Sequence, residues 1–130
     1  GGLHLTATAS WNDGRDVTNN IPLRHIPPVF GSVRTYWEQG VMDVGAEFWW
    51  AATKPFNDLP PDEQAKVGVN YTPDGTPAWQ RLDLAAIARP SNRFMITLRL
   101  ENVFDLNYRT FASAISAPGR NLIVSGRLLF

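Results

Sequence analysis

The sequence predicts an all-β chain: an antiparallel meander of about six strands, laid out as part of a transmembrane β-barrel. Three observations carry that expectation. Apolar residues alternate with polar ones wherever a period can be read. The links between alternating stretches run long, short, long, short, long. No stretch reaches the roughly 18 consecutive apolar residues of a membrane-crossing helix, although 44% of the 130 residues are hydrophobic and 12% aromatic.

The first strand is read over residues 3–11, with Leu3, Leu5, Ala7, Ala9 and Trp11 on one face and His4, Thr6, Thr8 and Ser10 on the other. Asn12-Asp13-Gly14 is turn chemistry, and Pro22, Pro27 and Pro28 keep the following segment a loop, since proline cannot donate to a central ladder. The second strand starts near Phe30, with Val33, Thr35 and Trp37 opposite Arg34, Tyr36 and Glu38. A tight hairpin over residues 40–43 leads to the third, where Val44, Ala46, Phe48, Trp50 and Ala52 alternate with Gly45, Glu47, Trp49, Ala51 and Thr53. Residues 54–76 are polar loop, in which 60–66 can form one helical turn with proline near its start. The fourth strand covers about 79–88, with Leu82, Leu84, Ala86 and Ala88 opposite Arg81 and Asp83. Pro90-Ser91-Asn92 is a tight turn. The fifth has the cleanest pattern, Phe94, Ile96, Leu98 and Leu100 against Met95, Thr97, Arg99 and Glu101. A loop over about 107–120 precedes the last strand, 121–130, which puts Leu122, Val124, Gly126, Leu128 and Phe130 together.

Alternation alone does not say what the apolar face meets. In a soluble sheet it is core; in a membrane barrel it meets lipid while the charged face lines the lumen. Loop lengths favour the barrel, because all three long links, near 13–28, 54–76 and 107–120, fall at one end and both tight ones at the other. Aromatics at strand ends (Trp11, Trp37, Trp49, Trp50, Phe104, Tyr108, Phe130) add the pattern of an interfacial girdle.

Twelve basic residues balance twelve acidic ones, which removes the electrostatic case for a nucleic-acid partner. There is no cysteine, hence no disulfide and no thiolate site. His4 and His25 stand on different segments without ligand spacing, so no metal site is expected. Asp58, Asp62 and Glu63 lack the spacing of a calcium loop and read as a solvated acidic loop. Arg81/Asp83 and Arg99/Glu101, each two apart on one strand face, suit an ionic lattice better than an enclosed catalytic pair. Gly14, Gly75 and Gly119 are scattered and form no phosphate cradle. Neither enzymatic activity nor a cofactor is expected.

Residues 100–109, Leu-Glu-Asn-Val-Phe-Asp-Leu-Asn-Tyr-Arg, are followed by Ala117-Pro118-Gly119-Arg120-Asn121 and a strand closing on Phe130. With Pro22-Leu23-Arg24-His25-Ile26-Pro27-Pro28 and Gly75-Thr76-Pro77-Ala78-Trp79, they stand in an order that resembles the C-terminal part of TonB-dependent outer-membrane receptors. The resemblance implies that residues 1–130 are a C-terminal barrel segment, with the plug and remaining strands of an about 22-stranded barrel absent; the start at Gly1 without Met fits that expectation. It implies an outer-membrane location in a Gram-negative bacterium, a periplasmic C-terminus, and uptake of a scarce nutrient such as an iron-siderophore or haem. Such a piece is not expected to transport alone. Implied partners are the rest of the barrel and plug, the TonB complex through the plug, the lipid bilayer, and the barrel-assembly machinery through Phe130. Residues expected at the ligand, on the external loops, are Arg24, His25, Tyr71, Trp79 and Arg109. Those expected to face lumen and plug are Arg34, Glu47, Arg81, Asp83, Arg99, Glu101 and Arg127. Two other readings stay open: a secreted β-rich carbohydrate-binding module stacking sugars on Trp37, Trp49, Trp50 and Trp79, and a small closed porin-like barrel.

Overall fold

The computed structural model describes residues 1–130. Six strands form one antiparallel sheet in chain order: β1 (Gly2–Ser10), β2 (Phe30–Gln39), β3 (Met42–Ala51), β4 (Trp79–Ser91), β5 (Phe94–Glu101) and β6 (Asn121–Leu128). Each strand pairs with its sequence neighbours, and β1 and β6 are the edges. The period of two is thus spent on a plain meander, as the alternation predicts.

The register aligns the faces across all six strands. Leu5, Thr35, Ala46, Leu84, Leu100 and Leu122 stand in one cross-strand row on the apolar side. One step away, Thr6, Arg34, Glu47 and Asp83 form a row on the polar side. A one-residue slip of any strand would put its charges among leucines, so the pattern itself specifies the register.

No second layer covers the apolar face. Val33 is 40% exposed, Leu84 41% and Leu98 44%, although each lies on a strand with neighbours on both sides. The few buried apolar residues (Ala51, Leu59, Tyr71 and Tyr108) sit at the top of the sheet or in the loops above it. A soluble domain buries its sheet face against another layer; this sheet leaves it open. No helix is long and apolar enough to cross a membrane, which says nothing about strands.

Links between strands alternate in length as expected: 11–29, 52–78 and 102–120 are long, 40–41 and 92–93 are two-residue turns. The first, third and last strands stop one or two residues short of the reading, at Ser10, Ala51 and Leu128, so Trp11 and Phe130 lie outside them, and three further details differ. β4 runs on to Ser91, through a register shift between Ala88 and Ser91 that accommodates Pro90, which has no N–H for the ladder. β5 stops at Glu101 because Asn102 takes a left-handed conformation, φ 49°, so the last loop starts earlier than 107. The loops also hold two-residue strand pairs, Arg15–Asp16 with Ile21–Pro22 and Lys54–Pro55 with Gly75–Thr76. Gly75 is required there: its φ is 102°, and a Cβ would strike the Lys54 carbonyl and the Phe56 nitrogen. The helical turn appears as Pro61–Gln64, preceded by a 3-10 turn over Phe56–Asp58.

Candidate functional site

The polar face carries a connected ionic lattice. Arg34 Nη2 lies 2.7 Å from Glu47 Oε1 on the neighbouring strand, and Arg81 Nη2 lies 2.8 Å from Asp83 Oδ2. Arg99 reaches three carboxylates: Glu101 at 3.2 Å, Asp83 at 3.4 Å and Glu47 at 4.0 Å. Asp83 is almost wholly buried and also accepts the backbone N–H of Asn102 at 2.9 Å. A buried carboxylate is tolerated when cations and N–H donors surround it. Nearer the short turns, the Tyr36 hydroxyl donates to Asp43 Oδ2 at 2.6 Å, and Arg89 pairs with the same oxygen. Six of the seven charged residues expected on one face belong to the lattice; Arg127, the seventh, shares the face but has no carboxylate partner.

Above the sheet the three long loops are bonded into one body. The short helix of the second loop meets the first: Arg24 Nε pairs with Asp62 Oδ2 at 2.6 Å, and the His25 N–H donates to Glu63 Oε1 at 3.0 Å. The His25 imidazole Nε2 stands 3.4 Å from that oxygen. Glu63 is only 1% exposed, and its Oε2 has no partner. Asp58 and Asp62 are exposed, as a solvated acidic loop predicts, but Glu63 is a correction to that reading, because its burial depends on a loop-to-loop contact that local composition does not encode. The second loop also meets the third: Asn70 Nδ2 donates to the Ala112 carbonyl at 3.1 Å, Arg109 Nη1 donates to the Val69 carbonyl at 3.2 Å, and Tyr71 packs on Phe111 with ring centroids 5.9 Å apart. Burial and then the charge of Glu63 push the Tyr71 hydroxyl up to about 12. In the first loop, Asp16 is held below the usual carboxylate range by the Asn19 side-chain amide and by the N–H groups of Thr18 and Asn19.

The five residues expected at a ligand therefore divide. Arg24 and His25 form the latch between the first two loops, and Tyr71 is a buried strut behind it. Trp79 and Arg109 line a separate hollow of about 460 Å³ with Tyr108, Asn107, Gln80 and Thr72. There the Trp79 and Tyr108 rings lie 4.5 Å apart, Arg81 Nη1 donates to the Tyr108 hydroxyl at 3.0 Å, and the Arg81 guanidinium sits 5.8 Å from the Trp49 ring centroid. A stacked aromatic pair beside an arginine and amides suits a flat or polyhydroxylated ligand. The four tryptophans of the carbohydrate reading do not form one platform, because Trp37 and Trp50 share the apolar face and Trp49 and Trp79 the charged one.

Residues with the densest bonding were not among those singled out for a site. Asn102, 1% exposed, donates to the carbonyls of Leu106 at 2.9 Å and Pro118 at 3.2 Å and accepts the Leu106 N–H at 3.0 Å. Asp105 Oδ1 accepts the Arg120 N–H at 2.7 Å, and a Cβ on Gly119 would come within 2.7 Å of that oxygen. The Ala117 N–H donates to the Tyr108 carbonyl at 2.8 Å. The two halves of the closing motif, 100–109 and 117–121, are thus bonded to each other and hold the last loop shut. Their Asn, Asp and Gly content was the available signal, since these residues stop strands and cap turns.

Against solved structures the whole chain superposes on part of one protein with a TM-score of 0.82. That protein is the copper transporter OprC. Identity over the match is 16%, and this chain covers 100% of its own length but 21% of OprC. At that identity the likeness establishes the fold, a six-strand section of a β-barrel wall. No protein-family model matches the chain, and no curated protein matches it.

Proposed function

We propose that this chain is a C-terminal section of the barrel of a TonB-dependent outer-membrane receptor, with the apolar face against lipid, the ionic lattice toward lumen and plug, and the three long loops outside the cell. The observation that carries this reading is the uncovered apolar face of a sheet whose long loops all lie at one end. From Gly2 to Ser10 the first strand rises about 27 Å, which a tilt of about 40° reduces to about 20 Å, near the apolar band of such barrels. Outward aromatics mark both limits, Trp37 and Phe94 toward the short turns and Trp50 toward the long loops. The open edges β1 and β6 are where the remaining strands pair. The chain end, with Phe130, then lies in the periplasm, where the barrel-assembly machinery reads it.

The function is uptake of a scarce nutrient driven through TonB, not catalysis. The receptor family that the closing motif resembles takes up cargoes such as iron-siderophores and haem, and the name of OprC adds copper to those worth testing. The latch and the aromatic hollow are the parts of this section offered to that cargo. The test is uptake of labelled iron-siderophore, haem and copper by cells with and without the intact gene. Gene-dependent uptake of one cargo that stops when the proton-motive force is collapsed supports the reading. An intact protein recovered from the soluble fraction would overturn it and return the secreted binding module to first place.

A further inference from the structure

The aromatic hollow beside Trp79 is the larger half of a longer furrow. It shares Ala78, Trp79 and Gln80 with a second hollow of about 320 Å³, which Trp50 and Ala51 close on the far side. Both lie across the long-loop end of the β3–β4 pairing, where Trp50 stands opposite Gln80 and Ala51 opposite Trp79. Tyr108, Trp79 and Trp50 thus follow one another along the furrow. Two of these rings are fixed in advance. The Arg81 guanidinium holds the Tyr108 hydroxyl, and the Ala117 N–H holds its carbonyl. The Trp50 indole lies over the bare backbone of Gly31, where a Cβ would come within 3.1 Å of its Cζ2. Rings already in place lose little freedom when a ligand settles on them. The polar groups beside them are mostly unspent. Gln80, Asn107 and Ser116 are exposed and their side chains bond to nothing else in the chain, while Arg109 uses one N–H on the Val69 carbonyl. No Asp, Glu, His, Cys or Met lines either hollow, so a metal ion finds none of its usual side-chain ligands and a cationic ligand no counter-charge. What the furrow offers is flat apolar rings bordered by amides and a hydroxyl that both donate and accept. A sugar ring matches both, with C–H groups on one face and hydroxyls around its rim. An extended apolar plate would use the rings and leave the amides desolvated without partners.

We propose that this furrow binds an oligosaccharide, with one sugar ring against Trp79 and Tyr108 in the larger hollow and the next against Trp50 in the smaller, Gln80 bonding to both. A free glycan and the sugar head of a membrane glycolipid present the same chemistry, and Trp50 stands on the apolar face, where the furrow is open to either. The inference rests on the proposed reading, in which this hollow is offered to cargo, and deepens it by naming sugar rather than a metal centre as what the hollow grips.

The test is calorimetric titration of the intact protein in detergent with maltohexaose, cellohexaose, chitohexaose and the deacylated saccharide of the host's outer-membrane glycolipid. At least one is expected to bind with a dissociation constant of about 1 mM or lower, and its monosaccharide about tenfold more weakly, because a single ring fills one hollow only. Trp79→Ala should weaken binding about tenfold. That change also removes packing from Tyr108, so the pair Gln80→Ala and Asn107→Ala is measured separately; neither side chain has a partner in the chain, and their loss should weaken binding about fivefold in a protein that still folds. Binding of a neutral glycan assigns the furrow to a free glycan, binding of the glycolipid saccharide alone assigns it to the membrane, and either supports the inference. A folded protein that binds none of the four, or binds with the same affinity in both variants, overturns it. Heat-modifiable migration of the same samples reports separately on the barrel: an unfolded or soluble protein defeats the barrel reading, and a folded one without saccharide binding defeats only this site.

Discussion

Replacing Asn102 with alanine should open the last loop while leaving the sheet below it intact. The side chain makes three hydrogen bonds, two donated to the Leu106 and Pro118 carbonyls and one accepted from the Leu106 N–H, in a setting that water does not reach. At a net value of about 1 kcal/mol each, their loss removes about 3 kcal/mol. The backbone adds to this, since φ is 49° and an alanine in the left-handed region costs about 1 kcal/mol or more. A total near 4 kcal/mol corresponds to an increase of about a thousandfold in local opening. Hydrogen exchange on the intact protein in detergent reads this directly, with the amides of Leu106, Ala117 and Arg120 expected to lose protection and those within β5 expected to keep it. Asn102→Gly separates the two contributions: it removes the backbone strain and keeps the lost bonds, so it should recover only about a fivefold share. Exchange within about threefold of the parent in Asn102→Ala would refute the assignment of these bonds as the loop's closure. Full protection in Asn102→Gly would show that the backbone turn alone suffices.

Other perturbations follow from the same geometry. Leu84→Arg should destabilise the barrel by about 2–4 kcal/mol in bilayer unfolding, whereas Ala85→Arg, one residue along on the charged face, should cost far less; equal costs would remove the lipid assignment of the apolar face. Glu63→Gln keeps an acceptor for the His25 N–H and removes a buried charge with an unpartnered oxygen, so the latch should hold as well as before. Glu63→Ala leaves that N–H unsatisfied and should loosen the first loop by about 1–3 kcal/mol in exchange measurements, and a Gln variant as loose as Ala would show the charge to be essential. Tyr71 has a raised folded value, so its contribution is complete below pH 10 and is lost as pH rises toward about 12; Tyr71→Phe should abolish that alkaline loosening of the second and third loops. Asp16 has a lowered folded value, so the turn of the first loop should stay ordered above the ordinary carboxylate range and open as pH falls below it, followed by proteolysis at Arg15.

Most of the sheet was legible in the sequence because period two leaves little freedom. Once Arg99 and Glu101 must share a face opposite Leu98 and Leu100, the register of β5 against β4 and β6 follows. The ends of strands were less legible. Pro90 reads as a turn former, but here it sits in a register shift that lets β4 continue. Asn102 reads as polar loop, yet it is the residue that stops β5 and binds the loop behind it. The candidate site divides in the same way. The ionic lattice was visible because its partners are two apart on a strand or directly opposite across one. The latch was not, since His25 and Glu63 stand 38 positions apart in loops with no period to align them. Tyr71 was singled out as a ligand contact, but it is buried against Phe111, whereas Arg109 lines the hollow beside Trp79 while also tied to the Val69 carbonyl.

The alternation of sign across the charged face has an electrical consequence. Charges of opposite sign spaced a strand apart cancel at distances greater than their own spacing, and mobile ions shorten the range further. On the proposed barrel reading, a solute travelling near the axis would meet almost no potential from this stretch of wall, neither a trap nor a barrier. On that reading it would be sorted by shape and contact among the loops and then drift past a wall that is electrically quiet.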